Sequence, residues 1–364
     1  MAHDHGARIR RAGEALVDAG LAALVASPGP DLIYLAGYEP PPLERLSALV
    51  VRPRSEPVLI VPKLERPRAE DAGASAFARI VDWPDGSDPY VLVSDLLPDG
   101  DVAVSDRLWA VHLMGIERAA GATRFRSAAS LLAPLRAVKD DDEIALLALA
   151  ASAADRAFAR IASERFTGRT EREVAKDLAT FLVEEGHDVP LFTIVGAGAN
   201  GASPHHEPTD RSITDGDAVV MDFGGRRNGY SSDLTRTVFV GEPNAEMREV
   251  YDVVRTAQGA ASRLAGPGVP AEDVDRAARD VIAAAGYGDR FIHRTGHGIG
   301  LEEHEDPYIV SGNGEPLRPG NTFSIEPGVY LPGRFGVRIE DVVVVTDGGA
   351  RSLNDATRDP VVVA

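Results

Sequence analysis

The sequence predicts two units, a small α/β domain followed by a larger α+β domain with an internal pseudo-twofold repeat. Three observations carry that expectation. The chain has 364 residues, beyond the ~250–300 at which a single core usually stops growing. Its pattern changes near Leu135–Lys139, from short alternating elements to a long helical segment. Beyond that point, a pair of helical stretches followed by strand-like runs occurs twice. Helices first and strands afterwards argue for α+β layering and against a doubly wound dinucleotide fold.

Within residues 1–135 the N-terminal stretch reads as an amphipathic helix from about Ala7. Apolar, β-branched runs follow at Leu21–Ala26, Ala48–Arg52, Pro57–Val61 and Asp101–Val104. Pro- and Gly-rich segments such as SPGPD, EPPPLE and DWPDGSDPY separate them, as expected between short strands and helices. Residues 136–364 open with a helix over 140–164, whose acidic start suits the positive end of the helix dipole. A second helix over 170–186 precedes strands at 191–195, 217–224 and 230–240. Helices over 243–264 and 271–285 then precede strands near 322–330 and 336–346.

Composition narrows the function. Hydrophobic residues at 44% and charged residues at 26% are the proportions of a soluble globular chain, which excludes disorder and collagen-like structure. With no cysteine there is no disulfide framework, thiolate metal site or cysteine nucleophile, and a reducing cytoplasm is compatible. A net charge of −18 repels phosphate backbones, so a nucleic-acid partner is not expected. The longest apolar stretch, Ile144 to Ala154, is far short of the ~20 residues needed to cross a bilayer. The N-terminus lacks the apolar core of a signal peptide. A cytoplasmic protein without a membrane partner is the expectation.

The chemistry-bearing residues sit in two hairpins and the segment between them. In DAVVMDFGGRRNGYSSDLTRTVFVG a turn at Arg226–Gly229 separates two strands. If its loop holds four residues, Asp222 lies opposite Asp233, with Cβ atoms ~4.5–5.5 Å apart. In NTFSIEPGVYLPGRFGVRIEDVVVVT the turn LPGR is centred near Gly333, so Glu326 and Glu340 are opposed. An acidic hairpin alone is most often solvated surface. Two carboxylates as close as Asp222 and Asp233, however, repel unless a cation lies between them, and Glu326 and Glu340 are embedded in apolar strand sequence, where a charge is costly unless paired or metal-bound. Between the hairpins lies FIHRTGHGIGLEEHEDPYI, with His293, His297 and His304. Carboxylates with one imidazole and no thiolate form an oxygen-rich donor set that suits paired Mn²⁺, Co²⁺, Fe²⁺ or Zn²⁺.

Asp222, Asp233, His297, Glu326 and Glu340, in this order and local wording, resemble the ligand set of the pita-bread metallopeptidases. That family includes methionine aminopeptidase, Xaa-Pro aminopeptidase and Xaa-Pro dipeptidase (prolidase). The resemblance is strong over about 136–350, and over 1–135 it is one of layout to a creatinase-like N-terminal domain. It implies a pita-bread catalytic domain in which two divalent ions, Mn²⁺ foremost, are bound. Asp233 and Glu340 would bridge both ions, Asp222 would complete one shell, and His297 and Glu326 the other.

By the same resemblance Glu326 is the general base, and His205 (in NGASPHHEPTD) and His304 contact substrate or stabilise the tetrahedral intermediate. His293 resembles a substrate-pocket histidine of the proline-specific members. Arg338, which strand periodicity turns to the face of Glu340, supports the site by touching either substrate or an acidic ligand. His205 is favoured over its neighbour His206 because it follows Pro204 directly, and Asp341 is read as structural.

The implied reaction is attack of a metal-bound hydroxide on the carbonyl before proline in short peptides. The N-terminal domain speaks against methionine aminopeptidase, and the complete ligand set against the metal-free creatinase. An Xaa-Pro dipeptidase is favoured, with Xaa-Pro aminopeptidase acting on longer peptides as the alternative. A metal-dependent lyase-like enzyme and a non-catalytic peptide-binding protein are the readings from other classes. The resemblance also implies a homodimer.

Overall fold

A computed structural model describes residues 3–364. The chain divides into a unit ending at Arg136 and a unit spanning Ala137–Ala364.

The first unit opens with helix α1 (His5–Asp18), where the Asp4 side chain caps the Ala7 amide at 2.8 Å. This cap, a contribution of about 1 kcal/mol, starts the helix before the predicted Ala7. Six strands follow: β1 (Ala23–Ala26), β2 (Ala48–Val51), β3 (Val58–Pro62), β4 (Arg79–Trp83), β5 (Asp101–Val104) and β6 (Arg124–Ser127). They form one sheet in the order β4-β3-β2-β1-β5-β6. The four central strands are those the apolar runs predict. The two edge strands were not anticipated, because RIVDW and RFRS are short, charged and partly exposed, as sheet edges tend to be. Leu24, Val25, Leu49, Val50, Leu59 and Ile60 fill the centre of the sheet.

The second unit contains helices α2 (Asp141–Ile161), α3 (Glu171–Glu184), α4 (Ala245–Leu264) and α5 (Ala271–Ala284). Reciprocal capping boxes, Asp140 with Glu143 and Thr170 with Glu173, fix the starts of α2 and α3. Strands β7 (Val189–Ala197), β8 (Ala218–Arg227), β9 (Tyr230–Ser231) and β10 (Leu234–Val240) form the first half-repeat. The second contains β11 (Gly296–Gly298), β12 (Glu305–Ile309), β13 (Thr322–Ile325), β14 (Gly328–Leu331), β15 (Phe335–Arg338), β16 (Asp341–Thr346) and β17 (Gly349–Ser352). The chain closes with β18 (Val361–Val363).

The sheets run β18-β10-β8-β7 with β9 on β8, β12-β11-β13-β16-β17, and β14-β15. Phe158, Leu178 and Leu182 of the first helix pair bury against Met221, Phe223 and Leu234. Val250, Val254, Val274 and Ile282 of the second pair bury against Phe323, Ile325 and Val337. Each half-repeat thus stacks two helices on its own strands.

The first acidic hairpin differs from the expectation by two residues of register, which keeps the same face. Arg227 pairs with Tyr230, so the loop is the two-residue Asn228–Gly229, with φ of 50° and 85°. Two successive left-handed residues are what a tight hairpin turn demands, and Asn-Gly is the dipeptide that supplies them. Asp222 consequently faces Thr235. Asp233 is Thr235's same-face neighbour two residues back, and the two carboxylates are diagonal rather than opposed.

The second hairpin is broken in the middle. Ile325 pairs with Asp341 and Gly328 with Arg338, which keeps Glu326 and Glu340 at matching positions about Gly333. Between those ladder segments the strands exchange partners. The Glu326 amide donates to Thr295 O at 2.8 Å, and the Glu340 amide to Thr235 O at 3.1 Å. Pro327 has no amide to donate, so the ladder cannot run through this point.

Candidate metal centre and active site

Nine residues nominated from the sequence, Asp222, Asp233, His297, Glu326, Glu340, His205, His293, His304 and Arg338, line one cavity of about 530 Å³. Phe192, Ile194, Pro204, Arg294 and Glu303 complete its wall. The strands explain the convergence. Asp222 lies on β8, Asp233 immediately before β10 and His297 on β11. Glu326 and Glu340 occupy the two breaks of the second hairpin, where the backbone leaves its ladder. His304 immediately precedes β12, and His205 lies in the loop after β7.

The inner group is compact. Asp233, His297 and Glu340, all buried, each offer a ligand atom within 4.8 Å of the others. His297 Nε2 is 3.3 Å from Glu326 Oε1 and 3.6 Å from Asp233 Oδ2. His297 Nδ1 donates to Gly298 O at 3.2 Å, which orients the ring so that Nε2 points at the carboxylates. The glycines flanking His297 are needed here. A Cβ on Gly296 would meet Ser324 O at 1.8 Å, and one on Gly298 would meet Asp306 O at 2.2 Å.

Three carboxylate oxygens in this group, Asp222 Oδ1, Asp233 Oδ1 and Glu340 Oε1, are buried without a hydrogen-bond partner. Buried polar atoms are rarely left so, and three in one cavity fit a site whose missing partner is a cation. The ionisation balance says the same. Burial pushes the Asp233 carboxyl well above the usual carboxylate range, with Glu340, Asp222 and Glu326 adding repulsion. Burial and the charges of Glu326 and Asp222 do the same to Glu340. Asp222 is raised by burial, with Arg338 opposing. Burial also acts against Glu326, but the hydrogen bond and charge of His297 outweigh it and bring its carboxyl down to about 2. Without a cation these four groups cannot all be ionised together. An oxygen-rich set with one imidazole suits a divalent ion.

A buried network supports the cluster from below. Arg338 donates through Nη2 to Asp222 Oδ2 at 2.6 Å, through Nη1 to Tyr330 OH at 2.8 Å and through Nε to Thr235 Oγ1 at 3.1 Å. Thr235 in turn donates to Glu340 Oε2 at 2.6 Å. His293 Nε2 lies 2.8 Å from Tyr330 OH while its Nδ1 donates to Arg294 O at 2.7 Å. The tyrosine hydroxyl therefore accepts from Arg338 and donates to His293. Arg338 is an ion-pair partner of Asp222 and also part of the cavity wall, so both alternatives left open for it have a geometric basis. Asp341 is fully buried and pairs with Arg236 at 2.7 Å and Gln258 at 2.8 Å, away from the cavity.

The histidines separate by position. The ring centroid of His304 lies 4.0 Å from that of His297, with the two planes tilted by 58°. Burial, then the neighbouring His297, lowers its pKa to about 4, so it is a neutral imidazole at pH 7. Of the adjacent pair, His205 lines the cavity, whereas His206 Nε2 is held 2.9 Å from Glu171 Oε2.

Sequence reasoning missed Thr235, Tyr330 and Arg294. Thr235 and Tyr330 share a strand face with nominated residues, and period-two counting from Asp233 or pairing across from Gly336 finds them.

Known proteins show the same organisation. The description "Metallopeptidase family M24" matches residues 145–347, and "Creatinase/Prolidase N-terminal domain" matches residues 8–138. The chain is 47% identical over 360 residues to a protein named probable dipeptidase PepE from Mycobacterium tuberculosis, covering 98% of this chain and 96% of that one. It is 39% identical over 339 residues to the Xaa-Pro dipeptidase of Lactobacillus helveticus, covering 90% of each. The crystal structure of dipeptidase PepE from Mycobacterium ulcerans superposes with a TM-score of 0.94 at 44% identity and covers both chains completely. With its two-unit organisation, half-repeats and buried carboxylate–histidine cluster, this chain belongs to metallopeptidase family M24, built on a creatinase/prolidase N-terminal domain and a pita-bread catalytic domain.

Proposed function

We propose that the protein is a dinuclear-metal Xaa-Pro dipeptidase that hydrolyses the bond before proline in short peptides. The observation that carries this reading is the coincidence, in one cavity, of three orphaned carboxylate oxygens with an apolar wall of Phe192 and Ile194. The names of the dipeptidase relatives support the substrate class.

Asp222, Asp233, His297, Glu326 and Glu340 would hold the ions, with Asp233 and Glu340 shared between them. Two divalent cations at such a site supply Lewis acidity that acidifies water and polarises the scissile carbonyl. Glu326, ionised at neutral pH, accepts the proton of the attacking water and delivers it to the leaving proline nitrogen. His205 and His304 donate N–H groups toward the carbonyl oxygen as charge develops on it. His304 can do so as a neutral imidazole, without a charge that would repel the cations. His293, oriented through Tyr330, contacts the substrate as part of the same cavity wall, and Arg338 holds Asp222 in place.

A dipeptide carries its terminal carboxylate next to the reacting centre. Arg294, whose guanidinium lies 4.7 Å over the Tyr308 ring, is the wall cation not committed to Asp222, and suits that carboxylate. The oxygen-rich donor set favours Mn²⁺ among the candidate ions. Family resemblance supports a homodimer, and a chain without cysteine is compatible with a reducing cytoplasm. No helix among the described residues is long and apolar enough to cross a membrane.

The test is a paired assay on Mn²⁺-loaded protein, with an Xaa-Pro dipeptide and the same peptide extended beyond proline. Cleavage of the dipeptide alone is the expected result. Cleavage of both would make the protein an Xaa-Pro aminopeptidase, and cleavage of neither, with metal bound, would overturn the peptidase reading.

A further inference from the structure

The loop that carries His205 leaves β7 at Ala197, makes a single 3₁₀ turn over Gly198–Ala202 and runs irregularly to Thr209. Its own backbone supplies few bonds, the Ser203 amide to Asn200 O at 3.0 Å and the His206 amide to Ser203 O at 3.2 Å among them, yet its His205 must stay aimed into the cavity. Arg338 Nη2 lies 3.5 Å from Pro204 O, but most of the polar bonds that gather the loop converge on one side chain outside the cavity.

Glu171 is fully buried at the first position of α3. Its Oε1 accepts from the Ala197 amide at 2.8 Å and from Asn200 Nδ2 at 3.0 Å. Its Oε2 accepts from His206 Nε2 at 2.9 Å, from the Thr209 amide at 3.0 Å and from Thr209 Oγ1 at 2.7 Å. These donors come from the beginning, the middle and the end of the loop. A carboxylate accepts only, so His206 carries its proton on Nε2. Burial pushes the Glu171 carboxyl upward, but these donors more than compensate and hold it below the ordinary range. The positive end of α3 favours the anion further. On its other side the loop rests on β15, where a Cβ on Gly336 would meet Gly201 O at 1.9 Å.

We propose that Glu171 is a positioning residue for catalysis: through His206, Asn200 and Thr209 it gathers the loop 197–209 and so aims His205 at the substrate. His206 is then the link between anchor and acting histidine, which gives the adjacent pair two different tasks. The inference rests on the reading of His205 as a substrate-side donor. Misplacing such a group by an ångström costs up to roughly a hundredfold in rate, so the anchor acts on turnover rather than on metal content.

The experiment is a double-mutant cycle with a structural readout. His206→Ala removes one donor and leaves the others on Glu171, so the fold is kept. His206→Gln retains a donor near the Nε2 position. In Mn²⁺-loaded enzyme, His206→Ala is expected to lower kcat about tenfold, with KM and metal content little changed, and His206→Gln to restore most of it. In a His205→Ala background the same His206→Ala change is expected to cost less than about twofold, because there is no longer a histidine to aim. An equal loss in both backgrounds, or full activity in His206→Ala, would overturn the proposal.

Amide hydrogen exchange over residues 197–209, measured in parallel, is expected to accelerate in His206→Ala and more so in Glu171→Gln. If the wild-type enzyme proves inactive on Xaa-Pro peptides, the substrate reading fails, and this arm alone decides the anchor. Unchanged exchange in both variants would overturn it.

Discussion

The Thr235 hydroxyl donates to Glu340 Oε2 at 2.6 Å and accepts from Arg338 Nε at 3.1 Å. One buried threonine thereby ties a proposed bridging carboxylate to the arginine that holds Asp222. Thr235→Val keeps the shape and deletes the hydroxyl, leaving Glu340 Oε2 without this donor. Loss of such a supporting partner typically costs 10–100-fold in metal affinity. A drop of about tenfold is expected in calorimetric Mn²⁺ titration, and unchanged affinity would show that Thr235 does not orient the ligand.

Arg294 separates binding from chemistry. If its guanidinium receives the terminal carboxylate of a dipeptide, Arg294→Met should raise KM about tenfold or more, the scale of one charge-assisted hydrogen bond. The effect on kcat should be small. Steady-state kinetics on one Xaa-Pro dipeptide and its C-terminal amide tests this, since the amide should be nearly indifferent to the substitution. Equal effects on both would remove Arg294 from carboxylate recognition.

Lys139 and Glu305, the residue after His304, form a buried ion pair at 2.5 Å. The same pair fills the space over Gly300, where a Cβ would meet Glu305 Oε1 at 2.4 Å and Lys139 Cε at 2.9 Å. Lys139→Met takes the ammonium from a buried carboxylate, a loss of ~3–5 kcal/mol. Adding Glu305→Gln should recover part of that by removing the stranded charge. Denaturant unfolding of the single and double variants measures both, and a double variant no better than the single would contradict the ion-pair reading.

These interactions show what a linear sequence conceals. The metal-site hairpin about Gly333 was legible because LPGR marks its own centre, and both glutamates follow by counting. In the other hairpin a four-residue turn sets the register two residues away from the observed one, because Asn228–Gly229, the strongest tight-turn dipeptide, closes the loop by itself. The breaks at Glu326 and Glu340 were not legible, since strand exchange depends on which segment arrives from elsewhere in the fold. Glu171 was invisible for the same reason. Its partners span residues 197 to 209 along an irregular loop, and no periodicity connects them. The central strands of the first unit were legible from apolar runs, while its charged edge strands were not.

His187 is buried, with Nδ1 3.1 Å from Leu182 O and Nε2 2.8 Å from Ser232 Oγ. Burial lowers its pKa below the ordinary value near 6.5. The folded protein therefore resists protonating a group that the unfolded chain protonates readily. Its contribution is fully present above about pH 6.5 and is lost as the pH falls from there toward the lowered folded value. Unfolding of wild type and His187→Gln at pH 7.5 and 5.5 isolates it. The wild type should lose more stability than the variant on acidification, and equal losses would rule the histidine out as a contributor.

The most direct test of the proposed metal centre is metal stoichiometry by elemental mass spectrometry on dialysed, Mn²⁺-loaded protein. The wild type is expected to hold two ions per chain. Asp233→Ala, which deletes a proposed bridge, is expected to lose both ions and all peptidase activity, whereas His205→Ala keeps the metal and loses turnover. An Asp233→Ala protein that retained both ions, correctly folded, would contradict the ligand assignment on which the mechanism depends.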